Sequence, residues 1–279
     1  MEIIDGKKIA KTILENIKIE ISKLNFVPVF CDVLIGDDAP SIQYVKMKGK
    51  KAESVGIRFH NANFPRSIST EDLIKEIKIL NEIPNMCGII VQLPLPQPIN
   101  KRLVLDAIDP TLDVDCLGSV ASEKFYNNFD LQKDIVYPAA LACMASLDSL
   151  DLKLKEKKIV VLGQGELVGK PVAQLLKYRN LDPIIITRKT ENKEHLLKEA
   201  DVIISGIGHG KFVTGEMVKK GVILIDAGTS DSNGGIVGDI NIESVESVAS
   251  YISPVPGGVG PVTVAMLLNN VLKVAKKLK

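Results

Sequence analysis

Strand-like and helix-like periods alternate along almost the whole chain, and that alternation restricts the fold more than any other feature. Residues 7–24 place Ile9, Ile13, Ile17 and Ile21 four apart, the spacing of an amphipathic helix. VPVFCDVLIG then reads as a short apolar strand, and SIQYVKMKGKKAESVG as a helix ending at Gly56. IRFHNANF is a second strand, and TEDLIKEIKILN a helix with a capping signal at Thr70. CGIIVQLPLP is a third strand that must stop at Pro94. A second series starts near Tyr137: helix AALACMASLDSL, strand KIVVLG, a glycine turn, a helix, strand PIIIT, helix KEHLLKEA, then strands DVIISGIG and GVILIDAG. Two series of this kind predict two α/β lobes with mostly parallel sheets, joined around residues 118–138. The second is expected to be a Rossmann-like, doubly wound dinucleotide-binding domain, with ligands in a cleft at the strand carboxyl ends.

At 279 residues the chain is long enough for two modest cores. A formal net charge of +1 gives no reason to expect nucleic acid or an anionic membrane as partner. The N-terminus has no secretory h-region, and no apolar run approaches the ~20 residues that span a bilayer. The four cysteines are scattered without a C-x-x-C pair, and three histidines form no H-E-x-x-H, so no zinc site is expected. A reduced, cytoplasmic compartment fits this usage.

GQGELVGKP, residues 163–171, lies between a strand and a helix. Gly163, Gly165 and Gly169 are spaced G-x-G-x-x-x-G, one residue longer than the usual dinucleotide fingerprint. The early glycines would let backbone approach a pyrophosphate, and the helix N-terminus would supply N–H groups and positive dipole. The added residue lengthens the turn, and Pro171 suits the first helical turn. At the end of the next strand, where an acid normally accepts the ribose hydroxyls of NAD, the chain has Arg188 and Lys189. No acid follows until Glu191. A 2′-phosphate, hence NADP, is the cofactor this favours, with NAD as the alternative.

SIQYVKMKGKKAESVGI, VQLPLP, LDVDCLG and PVPGGVGPVTVAML follow one another in that order. Together with the long glycine turn they resemble the methylenetetrahydrofolate dehydrogenase / methenyltetrahydrofolate cyclohydrolase family, from Gly6 to the C-terminal helix. The resemblance implies a bifunctional, homodimeric enzyme of one-carbon metabolism that supplies purine biosynthesis. It would oxidise 5,10-methylenetetrahydrofolate and hydrolyse the methenyl product to 10-formyltetrahydrofolate, with no metal. It implies Lys48 as the catalytic lysine, Gln92 as its hydrogen-bond partner, Tyr44 packing on the folate rings and Asp115 holding the polar pterin edge. Pro256, Gly257, Gly258 and Gly260 would line the folate cleft, and Gly163, Gln164, Gly165, Val168, Gly169, Arg188 and Lys189 would hold the dinucleotide. Residues 1–120 with 262–279 would be the folate-binding catalytic domain and 121–261 the NAD(P)-binding domain.

These roles suit the residue types. Tyr44 and Lys48 are four apart and project from one helix face. A lysine kept neutral beside a cationic methenyl group can take a proton from attacking water. An ionised Asp115 is acceptor-only and suits an N–H edge. His209, in GIGHGK, reads as a loop residue near the cofactor.

Three departures from the family pattern stand out. Gln164 and Gly165 replace the Arg-Ser common in the glycine turn, and Ala139, Ala140 and Leu141 replace a Cys-Thr-Pro string. Cys116 stands where glycine usually follows Asp115. The folate side is therefore intact while the cofactor side is altered, which leaves a cyclohydrolase with weak or NAD-linked dehydrogenase activity as the alternative. A non-catalytic nucleotide-binding regulator is disfavoured by the Tyr44–Lys48 pair. A two-domain dehydrogenase of small acids is disfavoured by PGGVGP.

Overall fold

The computed structural model describes residues 1–127, 129–131, 133–232 and 235–278. Asn128 and Gln132, in the expected joining segment, and Lys279, at the end of the expected first domain, lie outside the described residues. The chain forms two compact units, one of Met1–Lys11 with Ala139–Thr263, the other of Thr12–Pro138 with Val264–Lys279.

Before the midpoint the elements run β1 (Glu2–Ile3), α1 (Gly6–Ile21), β2 (Val29–Ile35), α2 (Ala39–Ser54), β3 (Arg58–Phe64) and α3 (Thr70–Asn81). They continue with β4 (Met86–Val91), α4 (Lys101–Leu105) and α5 (Ser119–Asn127). In the unit that begins at Thr12, β2 pairs in parallel with β3 on one side and β4 on the other. All seven β2 residues are buried, whereas the edge strand β3 is mostly exposed. Helix α2 starts where the Asp38 carboxylate accepts the Ser41 N–H, satisfying one of the free first-turn donors. Gly49 lets α2 lie close on the sheet, because a Cβ there would sit 2.5 Å from the Phe59 ring. The cap of α3 is Ser69, whose hydroxyl accepts from Asp72 N–H. Thr70, expected at that place, instead accepts the Asn100 N–H through its Oγ1 at 3.1 Å.

The second half contributes α6 (Pro138–Asp148), β5 (Ile159–Leu162), α7 (Gly169–Tyr178), β6 (Ile184–Ile186), α8 (Lys193–Glu199), β7 (Val202–Ser205) and β8 (Ile223–Asp226). It ends with β9 (Ser230–Ser232), β10 (Gly235–Val237), α9 (Ile242–Val245), β11 (Tyr251–Ser253) and α10 (Val259–Lys277). Six strands form a parallel sheet in the order β1-β11-β8-β7-β5-β6, and β9 and β10 pair separately as antiparallel strands. From β5 the chain moves outward to β6, then returns to β7 on the other side. This reversal is the switch point at which open α/β sheets bind ligands. Val160, Leu162, Ile203, Leu224 and Ile252 of consecutive strands share its buried core.

The units divide the chain differently from the sequence boundaries. Residues 1–11 belong with the six-stranded sheet because β1 pairs with β11. Residues 121–138 belong with the three-stranded sheet. There Phe125 packs edge-on against Tyr126, Phe129 and Tyr137, and Asn270 of α10 donates to the carbonyls of Val114 (2.8 Å) and Val136 (2.6 Å). Helix α10 begins at Val259, and Pro261 falls in its first turn.

Candidate functional site

Tyr44 and Lys48 stand one turn apart on α2, with Lys48 only 2% exposed. Lys46, Lys50 and Lys51 lie on the exposed face of the same helix, so Lys48 differs from its basic neighbours. Its Nζ donates to Gln92 Oε1 at 2.8 Å and lies 4.8 Å from the Tyr44 ring centroid. Gln92 follows β4 and is fixed at both ends. Its backbone N–H donates to Val33 O, and its Nε2 donates to Leu93 O at 3.1 Å, leaving the amide oxygen for the lysine. The ring face and the amide hold the ammonium without adding charge.

One residue of this cluster was missed in the sequence. Asp32, in the middle of β2, is 0% exposed, and its Oδ2 lies 2.6 Å from Lys48 Nζ. The contact is an ion pair by distance but not an aligned hydrogen bond, the aligned bond of Nζ going to Gln92. The signal was present: an acid inside an otherwise apolar central strand needs a buried cation. Reading VPVFCDVLIG only as an apolar run concealed it.

The two acids of DVD differ in role. Asp113 is buried and its Oδ2 accepts the Gly118 N–H at 2.7 Å, closing the turn. Ile89 N–H donates to Leu112 O, which ties this turn to β4. Asp115 is half-buried, and no described residue donates a hydrogen bond to its carboxylate. Burial pushes the Asp115 carboxyl up to about 7, the Lys48 ammonium opposes that, and Asp113 and Asp32 add to it. The sequence reading assumed a carboxylate fully ionised at neutral pH; the structure puts its titration there instead. The Tyr44 hydroxyl is pushed up to about 12 by burial, then by Asp115 and Asp32. Cys116 takes φ +62°, the left-handed region that explains why glycine suits this position. Its buried Sγ fits at 3.5 Å from Ala121 O, so the turn tolerates the larger residue.

In the other unit, the glycine turn leads from β5 into α7. Gly163 has φ +100°, and a Cβ on Gly169 would sit 2.2 Å from Gly163 O, so the fold itself requires both. Gly165 is different: a Cβ there would meet its nearest neighbour at 3.8 Å. Its bare backbone leaves an exposed approach that packing does not demand. Lys170 N–H donates back to Gly165 O at 3.1 Å, which accommodates the extra residue of the turn. Val168, the N-cap of α7, makes no side-chain cap bond; its side chain fills the place a Cβ of Gly206 would take. Gln164 Nε2 donates to Gly163 O. Parallel pairing of β5 with β6 brings Arg188 and Lys189 beside this turn, since Gly163 N–H donates to Ile186 O at 2.8 Å. Both basic side chains are exposed, on a loop closed by Thr190 Oγ1 accepting Thr187 N–H. An uncapped helix start, an open glycine and an adjacent basic pair fit a dinucleotide diphosphate and a 2′-phosphate.

Asp239 and Asp226, neither singled out in the sequence, secure the loops at this edge. Asp239 accepts from Ser205 Oγ, Ile207 N–H and His209 N–H, all at 2.7–2.8 Å. Asp226 accepts from Gly228, Asp239 and Ile240 N–H, and burial still pushes it up to about 7. His209 is therefore held by its backbone, with its exposed ring against Phe212. Pro256, Gly257 and Gly258 lie in this same unit, in the turn between β11 and α10. Gly257 has φ +105°, Gly258 N–H donates to Pro254 O, and Gly6 packs so closely that a Cβ on it would collide with Gly258 O.

Residues 4–115 match the family model described as the tetrahydrofolate dehydrogenase/cyclohydrolase catalytic domain, and residues 138–279 match the NAD(P)-binding domain of the same family. The bifunctional protein FolD of Staphylococcus epidermidis is 39% identical over 282 residues, spanning 100% of this chain and 97% of that protein. The Campylobacter jejuni bifunctional FolD enzyme, methylenetetrahydrofolate dehydrogenase/cyclohydrolase, superposes with a TM-score of 0.94 at 34% identity, all of both chains being covered. The Trypanosoma brucei enzyme, solved with NADP cofactor and an inhibitor, gives 0.92 at 33% identity over 99% of this chain and 97% of that one.

Proposed function

Because the chain belongs to the tetrahydrofolate dehydrogenase/cyclohydrolase family, we infer that it catalyses two consecutive steps. It oxidises 5,10-methylenetetrahydrofolate to the methenyl compound with NADP, and hydrolyses that product to 10-formyltetrahydrofolate. The observation that carries this reading is the buried Lys48 bonded to Gln92 one helical turn from Tyr44, in a chain that matches the family over its whole length.

When bound, NADP supplies the hydride acceptor. The chain's own residues do the rest. Tyr44 offers its ring face to the folate rings, and Asp115 accepts from the N–H edge of the pterin once ionised. In the hydrolytic step Lys48, as a free amine, takes a proton from the water that attacks the methenyl carbon, while Gln92 keeps the amine aimed. Gly163, Gln164, Gly165, Val168 and Gly169 form the diphosphate turn, and Arg188 and Lys189 pair with the 2′-phosphate. The unit of the three-stranded sheet is assigned the folate chemistry, and that of the six-stranded sheet the dinucleotide.

The NADP-complexed relative and the basic pair support NADP over NAD. Because the Gln164 amide turns onto Gly163 O, Arg188 and Lys189 remain the main phosphate anchors, and the preference for NADP is modest. We also assign the chain a homodimeric state and a cytoplasmic role supplying purine biosynthesis, by resemblance to the family. Its four cysteines are buried and unpaired, as a reducing compartment permits. Among the described residues no helix is long and apolar enough to cross a membrane.

The test is Lys48→Gln. Hydrolysis of methenyltetrahydrofolate is expected to fall ~10²–10⁴-fold, the usual contribution of a general base, with methenyl product accumulating during oxidation. A variant hydrolysing within a fewfold of wild type removes Lys48 from the mechanism.

A further inference from the structure

Lys48 and Asp32 form a buried ion pair in the three-stranded unit, 2.6 Å apart and 2% and 0% exposed. Asp32 lies at the centre of β2, with Asn61 of β3 and Ile90 of β4 beside it in register. Its Oδ1 meets no donor among the described residues, so Lys48 is the only partner that compensates its charge. The other groups around the pair are Gln92 after β4, Tyr44 on α2, Asp115 on the turn held to β4, and Cys31 on β2 itself. Gln92 is neutral, the Tyr44 hydroxyl and Cys31 thiol are both pushed up to about 12, and Asp115 carries the one other titration near neutrality. None of them is a second cation.

Removing either charge alone would leave the other buried and unpaired, which costs several kcal/mol in typical cases. The pair therefore gains or loses charge as one unit. It has two forms with the same number of protons: ammonium with carboxylate, or free amine with carboxylic acid. Burial favours the second form, and raises the Asp32 carboxyl accordingly, while the Lys48 charge favours the first.

We propose that Asp32 acts through Lys48 as its internal proton acceptor, so that the lysine becomes a free amine for hydrolysis without releasing a proton to solvent. Once the lysine head aligns with Asp32 Oδ2, 2.6 Å away, the N–H bond of the ammonium breaks, its electron pair stays on Nζ, and the proton forms an O–H bond on the Asp32 carboxyl. A methenyl cation beside Lys48 repels the ammonium and favours this transfer. The inference rests on Lys48 being the hydrolytic base.

It has a signature that a structural role for Asp32 lacks. A proton moved within the pair leaves the reactive fraction independent of pH for as long as the pair keeps one proton. Without Asp32, the Lys48 ammonium must release its proton to water before it can act, so the rate acquires an acid limb approaching tenfold per pH unit. The experiment measures the saturated rate of methenyltetrahydrofolate hydrolysis between pH 5.5 and 9, after subtraction of the enzyme-free rate. Saturating substrate removes the effect of Asp115 on binding. Wild type is expected to give a nearly flat acid side. Asp32→Asn and Asp32→Val, checked for NADP binding and for a cooperative melt that the unpaired Lys48 is expected to lower, are expected to acquire an acid limb approaching tenfold per pH unit. A wild-type profile that already has this limb, or folded Asp32 variants with the wild-type profile, overturns the proposal. Because the wild-type profile alone can do so, the test survives variants that fail to fold. If Lys48→Gln hydrolyses normally, the underlying reading of Lys48 fails, whatever Asp32 does. If Lys48→Gln is inactive and the Asp32 variants keep the wild-type profile, only the role of Asp32 fails.

Discussion

Replacing Asp115 with asparagine should stabilise the protein while weakening folate binding, and the stability gain should grow with pH. The carboxyl is pushed from an ordinary 3.8 up to about 7, burial being the main cause. The folded chain therefore holds this proton more tightly than the unfolded chain. Stability from this source is fully present below the unfolded value and is lost as pH rises through about 7. The loss runs at ~1.4 kcal/mol per pH unit until the folded group titrates, which gives about 2 kcal/mol between about pH 5.5 and 8.5. An asparagine side chain fits the same space without the charge, so the variant escapes that loss. At roughly 2–4 °C per kcal/mol for a domain of this size, its melting temperature should exceed wild type by several degrees more at the higher pH. The assay is thermal unfolding at both pH values, paired with tetrahydrofolate titration. Folate affinity should fall about ten-fold or more at the higher pH, since hydrogen bonds to charged groups are worth ~1.5–3 kcal/mol. In wild type the affinity should rise with pH through about 7 as the carboxylate forms. A stability gap that is equal at both pH values, or an asparagine variant that is less stable at the higher one, would refute the reasoning.

Arg188→Ala should erase most of a roughly ten-fold preference for NADP, ~1.4 kcal/mol, without harming activity with NAD; kcat/KM for the two cofactors checks this. Gly169→Ala drives a Cβ into Gly163 O, so overpacking should cost ~1–3 kcal/mol and NADP affinity should drop more than folate affinity in paired titrations. Asn270→Ala loses both bonds that tie α10 to the Val114 and Val136 carbonyls and should destabilise by about 2–4 kcal/mol, read from denaturant midpoints.

Much of this architecture was legible because period and punctuation agree. The apolar runs around Val33, Ile89 and Val161 are short and bounded by Gly36, Pro94 and Gly163, which separates them from helices. Strands β1 and β11, of two and three residues, carry no period to read, and they join residues far apart in the chain. Helices α4 and α5 are too short or too weakly amphipathic to stand out. For the candidate site, the motifs that carry the family resemblance hold Tyr44, Lys48 and Gln92, which the fold brings together. Asp32 escaped notice because its partner arrives from a different element. Which of Asp113 and Asp115 closes the turn also depends on where Gly118 N–H points, which spacing alone does not reveal.

The central claim is that one chain carries both folate steps with NADP. The most direct measurement follows methenyl absorbance during incubation with 5,10-methylenetetrahydrofolate and either NADP or NAD. With NADP the account expects methenyl absorbance to rise and then decay to 10-formyltetrahydrofolate, with NAD slower by about ten-fold. Absence of a methenyl signal with either cofactor, while added methenyltetrahydrofolate is still hydrolysed, would contradict it and leave a cyclohydrolase alone.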